Sequence, residues 1–190
     1  RYANLGSPQV IFDYVYLSDI NSRLNEYVEK LVMYPLPYFN VVSRVAENYG
    51  LDPFLVWSIM RQESTYRTDV VSTSDARGLL QLIPSTAKWV VEKKMTKTEK
   101  DYLLWRVPEH NIEIGIAYFK YLLERYRGNF VYAISAYNAG PGNVSKWIEK
   151  KKFEDIEEFI ENIPYSETRN YVKKVLGNYS AYHSIYESIK

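Results

Sequence analysis

The chain of 190 residues has no cysteine. That excludes disulfides, thiolate metal ligands and cysteine nucleophiles together, without fixing a compartment. Histidine is scarce as well. His110 and His183 are far apart and lack ligand spacing, so neither a metal nor another cofactor is expected, and both read as surface or packing residues. Charge of one sign is missing: 24 Lys and Arg stand against 23 Asp and Glu, a net charge of +1. Nucleic-acid binding is disfavoured on that ground, because it ordinarily shows as a clustered basic face. No apolar run reaches the roughly 18 residues that cross a bilayer, so no transmembrane segment is expected. The chain starts at Arg1 with neither a basic start nor an apolar stretch after it, and is expected to be a mature or excised fragment without a targeting segment. Sustained period-two alternation is scarce, and there is neither an internal repeat nor a low-complexity tract.

What the chain does have is three- and four-residue apolar spacing along nearly its whole length, and aromatic residues at 16%, with 19 tyrosines. Most of these tyrosines belong to the core and to helix surfaces; a few suit a groove, where an apolar ring with a polar tip can stack on a sugar. A first helix is expected over about 9–32. Tyr34-Pro-Leu-Pro-Tyr38 cannot continue it, since each proline disfavours helix in the residue before it. This linker divides an N-terminal helical appendage, residues 1–33, from a main domain, residues 34–190. A second helix near 39–49 stops at Gly50. Asp52-Pro53 then restarts the chain as cap and first turn. Residues 64–83 read as a loop, with at most one very small β-hairpin near 68–80. Pro84 opens the next helix. Asn111 is read as the cap of a long one, with Ile112, Ile116, Phe119 and Leu123 on one face. Gly115 inside that helix costs about 1 kcal/mol against alanine, and either a close helix crossing or a tolerated imperfection accounts for it. Further helices follow near 130–139, 142–150 and 155–161, and a last one starts near Ser166. Glu92–Lys100 reads as an exposed loop or a solvated helix end. The fold class is all-α.

One carboxylate stands out. Glu63 follows Val56, Ile59 and Met60 at offsets of seven, four and three residues, which sets it on the apolar stripe of its helix. Burial raises a carboxyl pKa, because the charged form loses hydration. A glutamic acid still protonated near neutral pH is what a general acid must be. The plainer alternative is a helix-end glutamate paired with Arg61 or Arg67. After it, Gln81 is a lone amide among Leu79, Leu80, Leu82 and Ile83. Buried, it needs a partner, and it suits a substrate hydroxyl or acetamido group. Tyr137-Asn138-Ala139-Gly140-Pro141-Gly142 is a helix end and a glycine-rich turn that a ligand can approach closely.

Taken in order, five segments resemble the soluble lytic transglycosylases of the lysozyme-like superfamily. They are Arg61-Gln-Glu-Ser64; Ser72 with Ala76-Arg-Gly-Leu-Leu-Gln-Leu-Ile-Pro-Ser-Thr-Ala87; Asn111-Ile-Glu-Ile-Gly115; Ala136-Tyr-Asn-Ala-Gly-Pro-Gly142; and Ile163-Pro-Tyr-Ser-Glu-Thr-Arg-Asn-Tyr171. The linker Tyr34–Tyr38 resembles the entry to that family's catalytic domain, and the resemblance covers about residues 34–182. It implies that Glu63 is the sole catalytic acid and base. The bond cut joins N-acetylmuramic acid to N-acetylglucosamine in peptidoglycan, and the product is a 1,6-anhydro ring made without water. Such substrate-assisted chemistry is a recognised exception to the two-carboxylate rule. The same resemblance makes Ser72, Gln81, Ile83, Tyr137, Asn138 and Glu167 substrate-groove residues. For Glu167 a first-turn glutamate favouring its helix dipole is an equal reading. For Tyr66, stacking on a sugar and packing are equal readings. Peptidoglycan glycan strands are the implied partner, and a bacterial periplasm or cell envelope the implied location.

Two departures from the family pattern occur where methionine is common, at Leu80 and Ile83. Both are apolar for apolar, so they change groove shape rather than chemistry, and the stiffer Ile83 narrows the range of accepted substrates. The rival readings are a goose-type lysozyme-like hydrolase, which needs a placed water and a second carboxylate; a wall-binding module without turnover; and a structural helical domain of an envelope assembly.

Overall fold

In a computed structural model of the chain, residues 22–95 and 105–187 are described. The helices are α1 Ser22–Met33, α2 Phe39–Asn48, α3 Pro53–Ser64, α4 Pro84–Lys93, α5 Pro108–Arg125, α6 Phe130–Ala139, α7 Pro141–Lys150, α8 Ile156–Glu161 and α9 Ser166–Glu187. The fold is all-α. Among the described residues there is no strand, and the expected hairpin is reduced to two isolated bridges, Val71 with Arg77 and Arg77 with Leu82. Two left-handed residues, Asp75 at φ +58° and Gly78 at φ +75°, turn the chain before a ladder can extend. Of the helix expected over 9–32, the later part is α1; residues 9–21 lie outside those described, as does 96–100 of the Glu92–Lys100 run.

Local chemistry sets most boundaries. Gly50, at φ +62°, ends α2, with the Leu51 N–H turned back to the Ala46 carbonyl at 2.9 Å. Asp52 then caps α3 by accepting from the Phe54 N–H at 2.9 Å, with Pro53 in the first turn. Asn129 caps α6 in the same manner, through the Tyr132 N–H.

Helix α3 is the axis of the molecule. Every residue from Leu55 to Met60 is buried, so the helix is enclosed on all sides rather than along one stripe. Helix α9 lies along α3 and α6, α7 packs on α6, and α5 lies between α2, α4 and α6. Helices α3 and α9 run antiparallel: Tyr179 donates to Asp52 at the start of α3, while Tyr171 reaches Glu63 at its end. Leu31 of α1 is part of the same core, and Arg61 donates to the Met33 carbonyl. A second, smaller core joins Leu82, Val90, Val91 and Trp105 to Ile114 and Ala117 on α5.

The start of α5 differs from its expected form. The helix begins at Pro108, and Asn111 is not its cap but a fully buried residue within the first turn. Its amide accepts from the Leu80 N–H at 2.9 Å and donates to the carbonyls of Arg77 and Trp105 at 3.0 Å each. Asn111 therefore holds the 77–80 loop against α5. Gly78 and Gly115 belong to the same contact. A Cβ on Gly78 would lie 2.7 Å from Asn111 Nδ2, and one on Gly115 would lie 2.9 Å from Leu80 Cβ. Gly115 thus marks the close approach of a loop rather than a helix crossing.

Candidate active site

Glu63 sits in the last turn of α3, and the chain beyond it is strained. Thr65 at φ +50° and Tyr66 at φ +64° are consecutive left-handed residues, and Gln81 follows at φ +42°. Each such non-glycine residue costs on the order of 1 kcal/mol, and such residues gather at functional sites. The surroundings hold them in place. Ser64 Oγ donates to the Leu79 carbonyl at 2.9 Å, tying the helix end to the loop, and Asn111 ties the same loop to α5.

Loop 65–83, the end of α6 and the start of α9 enclose a groove of about 540 Å³ that opens on Glu63. Of the residues expected at the site, Glu63, Ser72, Gln81, Ile83, Tyr137, Asn138 and Glu167 all line it. Tyr66 does not. Its hydroxyl lies 2.5 Å from that of Tyr182, and Arg61 is hydrogen-bonded to it as well, on the far side of α3. These contacts are those of a packing residue.

The Glu63 carboxyl is pushed up from the ordinary 4.5 to about 7. Burial is the main cause, and the nearby Glu167 carboxylate adds to it; the Tyr171 hydroxyl, donating to Oε1 at 2.5 Å, pulls the other way. The C-terminal end of α3 also disfavours a negative charge there. Near neutral pH the group is divided between acid and base. Because Tyr171 occupies Oε1, Oε2 is the oxygen left to face a ligand.

Tyr137 does not bond Glu63. Its hydroxyl donates to the Leu80 carbonyl at 2.8 Å, fastening α6 to the loop that carries Gln81. Burial raises its pKa well above 10, and the Glu63 charge raises it further, so it remains a neutral wall beside the carboxyl. The Gln81 amide nitrogen donates to the carbonyls of Val70 at 3.1 Å and Gly78 at 2.9 Å. Two carbonyls on one side fix the orientation of the amide and leave Oε1 as an acceptor. Ser72 Oγ accepts from the N–H groups of Ser74 and Ala76 and so shapes the rim of the groove. Asn138 Oδ1 accepts from Thr168 at 2.6 Å, which joins the Gly140 turn to α9 next to Glu167.

Sequence reasoning did not single out Tyr171, although it ends the fifth segment. The signal was available: Glu167 and Tyr171 are four apart in one helix and so share a face. Tyr118 and Thr86 of the groove wall were also missed, and nothing local distinguishes them from packing residues. Among the described residues no three His, Cys, Asp or Glu side chains gather as a metal site, and no helix is long and apolar enough to cross a membrane.

This arrangement has counterparts. The chain matches the family described as Transglycosylase SLT domain over residues 40–160, and the Soluble lytic transglycosylase helical domain over residues 162–189. It is 35% identical over 165 residues to a soluble lytic murein transglycosylase of Salmonella typhimurium, covering 86% of this chain and 25% of that protein. The 70 kDa soluble lytic transglycosylase of Escherichia coli superposes with a TM-score of 0.75 at 28% identity, over 92% of this chain and 32% of that one. An inactive glutamate-to-glutamine mutant of the lytic transglycosylase Slt of Pseudomonas aeruginosa superposes with a TM-score of 0.72 at 30% identity, over 93% of this chain and 29% of that one. The chain thus spans about a quarter of the length of the Salmonella relative. With its helical order, its groove and the match over 40–160 in agreement, the chain belongs to the transglycosylase SLT domain family.

Proposed function

We propose that this chain is the catalytic part of a peptidoglycan lytic transglycosylase. It cuts the β-1,4 bond between N-acetylmuramic acid and N-acetylglucosamine without water and leaves 1,6-anhydromuramic acid ends. The observation that carries the reading is a carboxyl poised at about 7 on a groove, held at one oxygen by a tyrosine. Protonated Glu63 gives its proton to the glycosidic oxygen as that bond breaks. The resulting carboxylate then takes the proton of the muramic acid C6 hydroxyl as its oxygen bonds to C1. Glu63 ends protonated, as it began, and no other reactant enters. A pKa near working pH suits one group to both steps.

Around it, Gln81 Oε1 is placed to accept from an acetamido N–H, and Ser72, Ile83, Tyr137, Asn138 and Glu167 shape the groove that holds the strand. Loss of activity on glutamate replacement in the Pseudomonas relative supports a glutamate at the centre of the chemistry. We assign the catalytic unit to residues 34–190, with residues 1–33 given no role, and the location to the bacterial envelope, where peptidoglycan is. One observation favours a second reading. Glu167 lines the same groove and raises the pKa of Glu63, so a carboxylate is at hand to hold a water for hydrolysis.

Mass spectrometry of fragments released from purified peptidoglycan decides between them. Anhydro-muropeptides, one water lighter than hydrolysis products, from the native chain and not from Glu63→Gln are the expected result. Reducing ends would make the chain a hydrolase, and binding to the sacculus without release from either protein would make it a wall-binding module.

A further inference from the structure

Behind the Glu63 turn, on the face of α3 turned away from the groove, lies a recess of about 520 Å³ that shares no lining residue with the groove. Helical spacing puts it there. Arg61 and Thr65 are four apart and share a face, whereas Glu63, two residues from each, is on the opposite one. Gln62 joins them in the wall, and across from them α9 contributes Lys174, Gly177 and Asn178, which align by the same spacing. Arg61 is fixed in place: its guanidinium lies 4.4 Å from the centroid of the Tyr34 ring, donates to the Met33 carbonyl and is bonded to the Tyr66 hydroxyl. Those bonds leave part of its five-donor fork unspent. Lys174 is exposed and has no carboxylate partner among the described residues, whereas the adjacent Lys173 pairs with Glu161 at 2.7 Å and does not line the recess. Among the described residues no Asp or Glu lines it either. Gly177 stands inside a helix of 22 residues, where glycine is a weak choice, yet a Cβ there would meet nothing within 4 Å. Packing does not require it, and its bare backbone widens the recess.

We propose that this recess is a binding site for a small phosphate monoester, with Arg61 and Lys174 as its two anchors. Charge sets the class. A phosphate monoester carries about −1.5 to −2 charge at neutral pH, which two cations balance, whereas a carboxylate leaves one of them unmatched. The phosphate oxygens accept, and the guanidinium, the ammonium, the Gln62 amide and the Thr65 hydroxyl all donate. Neither the Gln62 nor the Thr65 side chain is hydrogen-bonded to another described residue. The end of α3 carries only about −0.5 charge, so two full cations leave the recess positive. Its volume lies within the range of roughly 300–1,000 Å³ usual for small-molecule sites and leaves room for the organic part of an ester, with the Tyr34 ring as an apolar wall. A ligand held there joins Tyr34, α3 and α9, and so stabilises the folded chain as it binds.

The test is calorimetric titration of the native chain at fixed ionic strength and about pH 8, where the phosphate is a dianion, with glycerol 3-phosphate, inorganic phosphate and acetate as probes. Glycerol 3-phosphate should bind saturably at one site per chain, at least as tightly as inorganic phosphate and on the order of tenfold more tightly than acetate. Arg61 stays in place, because its other bonds hold the fold. Lys174→Gln should weaken binding on the order of tenfold, the worth of one charge-assisted hydrogen bond. Lys173→Gln removes the same charge one residue away and should leave the affinity as it was. The ligand should also raise the Tm of the native chain and of Lys173→Gln more than that of Lys174→Gln. Equal losses in the two lysine variants mean diffuse surface charge and overturn the site, as does titration without saturation. Acetate binding as tightly as the ester overturns the assignment to phosphate, and binding of inorganic phosphate with exclusion of glycerol 3-phosphate overturns the assignment to an ester.

Discussion

Replacing Glu63 by glutamine should make the protein more stable than the native chain, and only above a definite pH. The native carboxyl has a pKa of about 7 against an ordinary 4.5, chiefly through burial. Below 4.5 it is protonated in both the folded and the unfolded state, and ionisation contributes nothing. Between 4.5 and 7 the unfolded chain loses this proton while the folded one retains it, so stability falls as pH rises. Above 7 both states are ionised and the loss is complete. At about 1.4 kcal/mol for each tenfold change in proton affinity, the displacement from 4.5 to about 7 amounts to roughly 3 kcal/mol. Glutamine has nearly the same shape, keeps an oxygen for the Tyr171 hydroxyl and does not titrate. Groups that do not interact with Glu63 cancel in the difference between the two proteins. Urea unfolding of both at half-unit steps from pH 4 to 8 therefore isolates the carboxyl. The native chain should lose about 3 kcal/mol relative to Glu63→Gln across that range, with most of the change between pH 5 and 7. A difference that stays flat, or that grows in favour of the native chain as pH rises, would refute a buried, proton-retaining Glu63 and with it the acid half of the mechanism.

Three further outcomes follow from the same geometry. Tyr171→Phe removes the hydroxyl that holds the Glu63 pKa down, so the alkaline limb of the pH–rate profile should move upward. The maximal rate should fall about ten- to a hundredfold, the worth of a hydrogen bond to a charged group; a limb that stays in place or moves to lower pH contradicts the contact. Gly115→Ala places a methyl 2.9 Å from Leu80 Cβ and should cost about 1–3 kcal/mol in a denaturant melt. At an uncrowded helix position the same change gains about 1 kcal/mol, so stabilisation would dismiss the crowding. His183 is pushed down by burial, but its bonds to Glu187 at 2.8 Å and Asp52 at 2.7 Å outweigh that, and its pKa is raised above 6.5. Its contribution is present in full below 6.5 and fades as pH rises through the higher folded value. His183→Ala should therefore destabilise by less than about 1 kcal/mol at pH 5.5 and by little at pH 9; a larger cost at the higher pH would reverse the sign of the linkage.

The helical character of this chain and many of its boundaries could be read from local chemistry, because caps and breakers act within a few residues. Gly50, Asp52-Pro53, Pro84 and Gly140 sit where the structure ends or opens a helix. Glu63 could be singled out for the same kind of reason, since helical spacing alone sets it on an apolar face. Segment order, matched to a family, brought in Ser72, Gln81, Ile83, Tyr137, Asn138 and Glu167, which periodicity could not have joined. Local rules reached no further than the turn they describe. Asn111 has the residue type of a cap, and only packing shows it buried with three hydrogen bonds to other segments. Gly115 looks like an imperfection until Leu80 is seen against it. Tyr66 follows Glu63 by three residues in sequence, yet its hydroxyl meets Tyr182 and Arg61 and it does not line the groove. The pairing that tunes the site joins Glu63 to Tyr171 across 108 residues of chain. No periodicity carries a contact of that kind, because it exists only once α9 lies antiparallel on α3. The sequence by itself determined which residues form helices and which carboxyl is out of place. Tertiary structure alone decided that carboxyl's partner, its proton affinity and the walls of the groove it faces, because burial and long-range hydrogen bonds are properties of the packed chain.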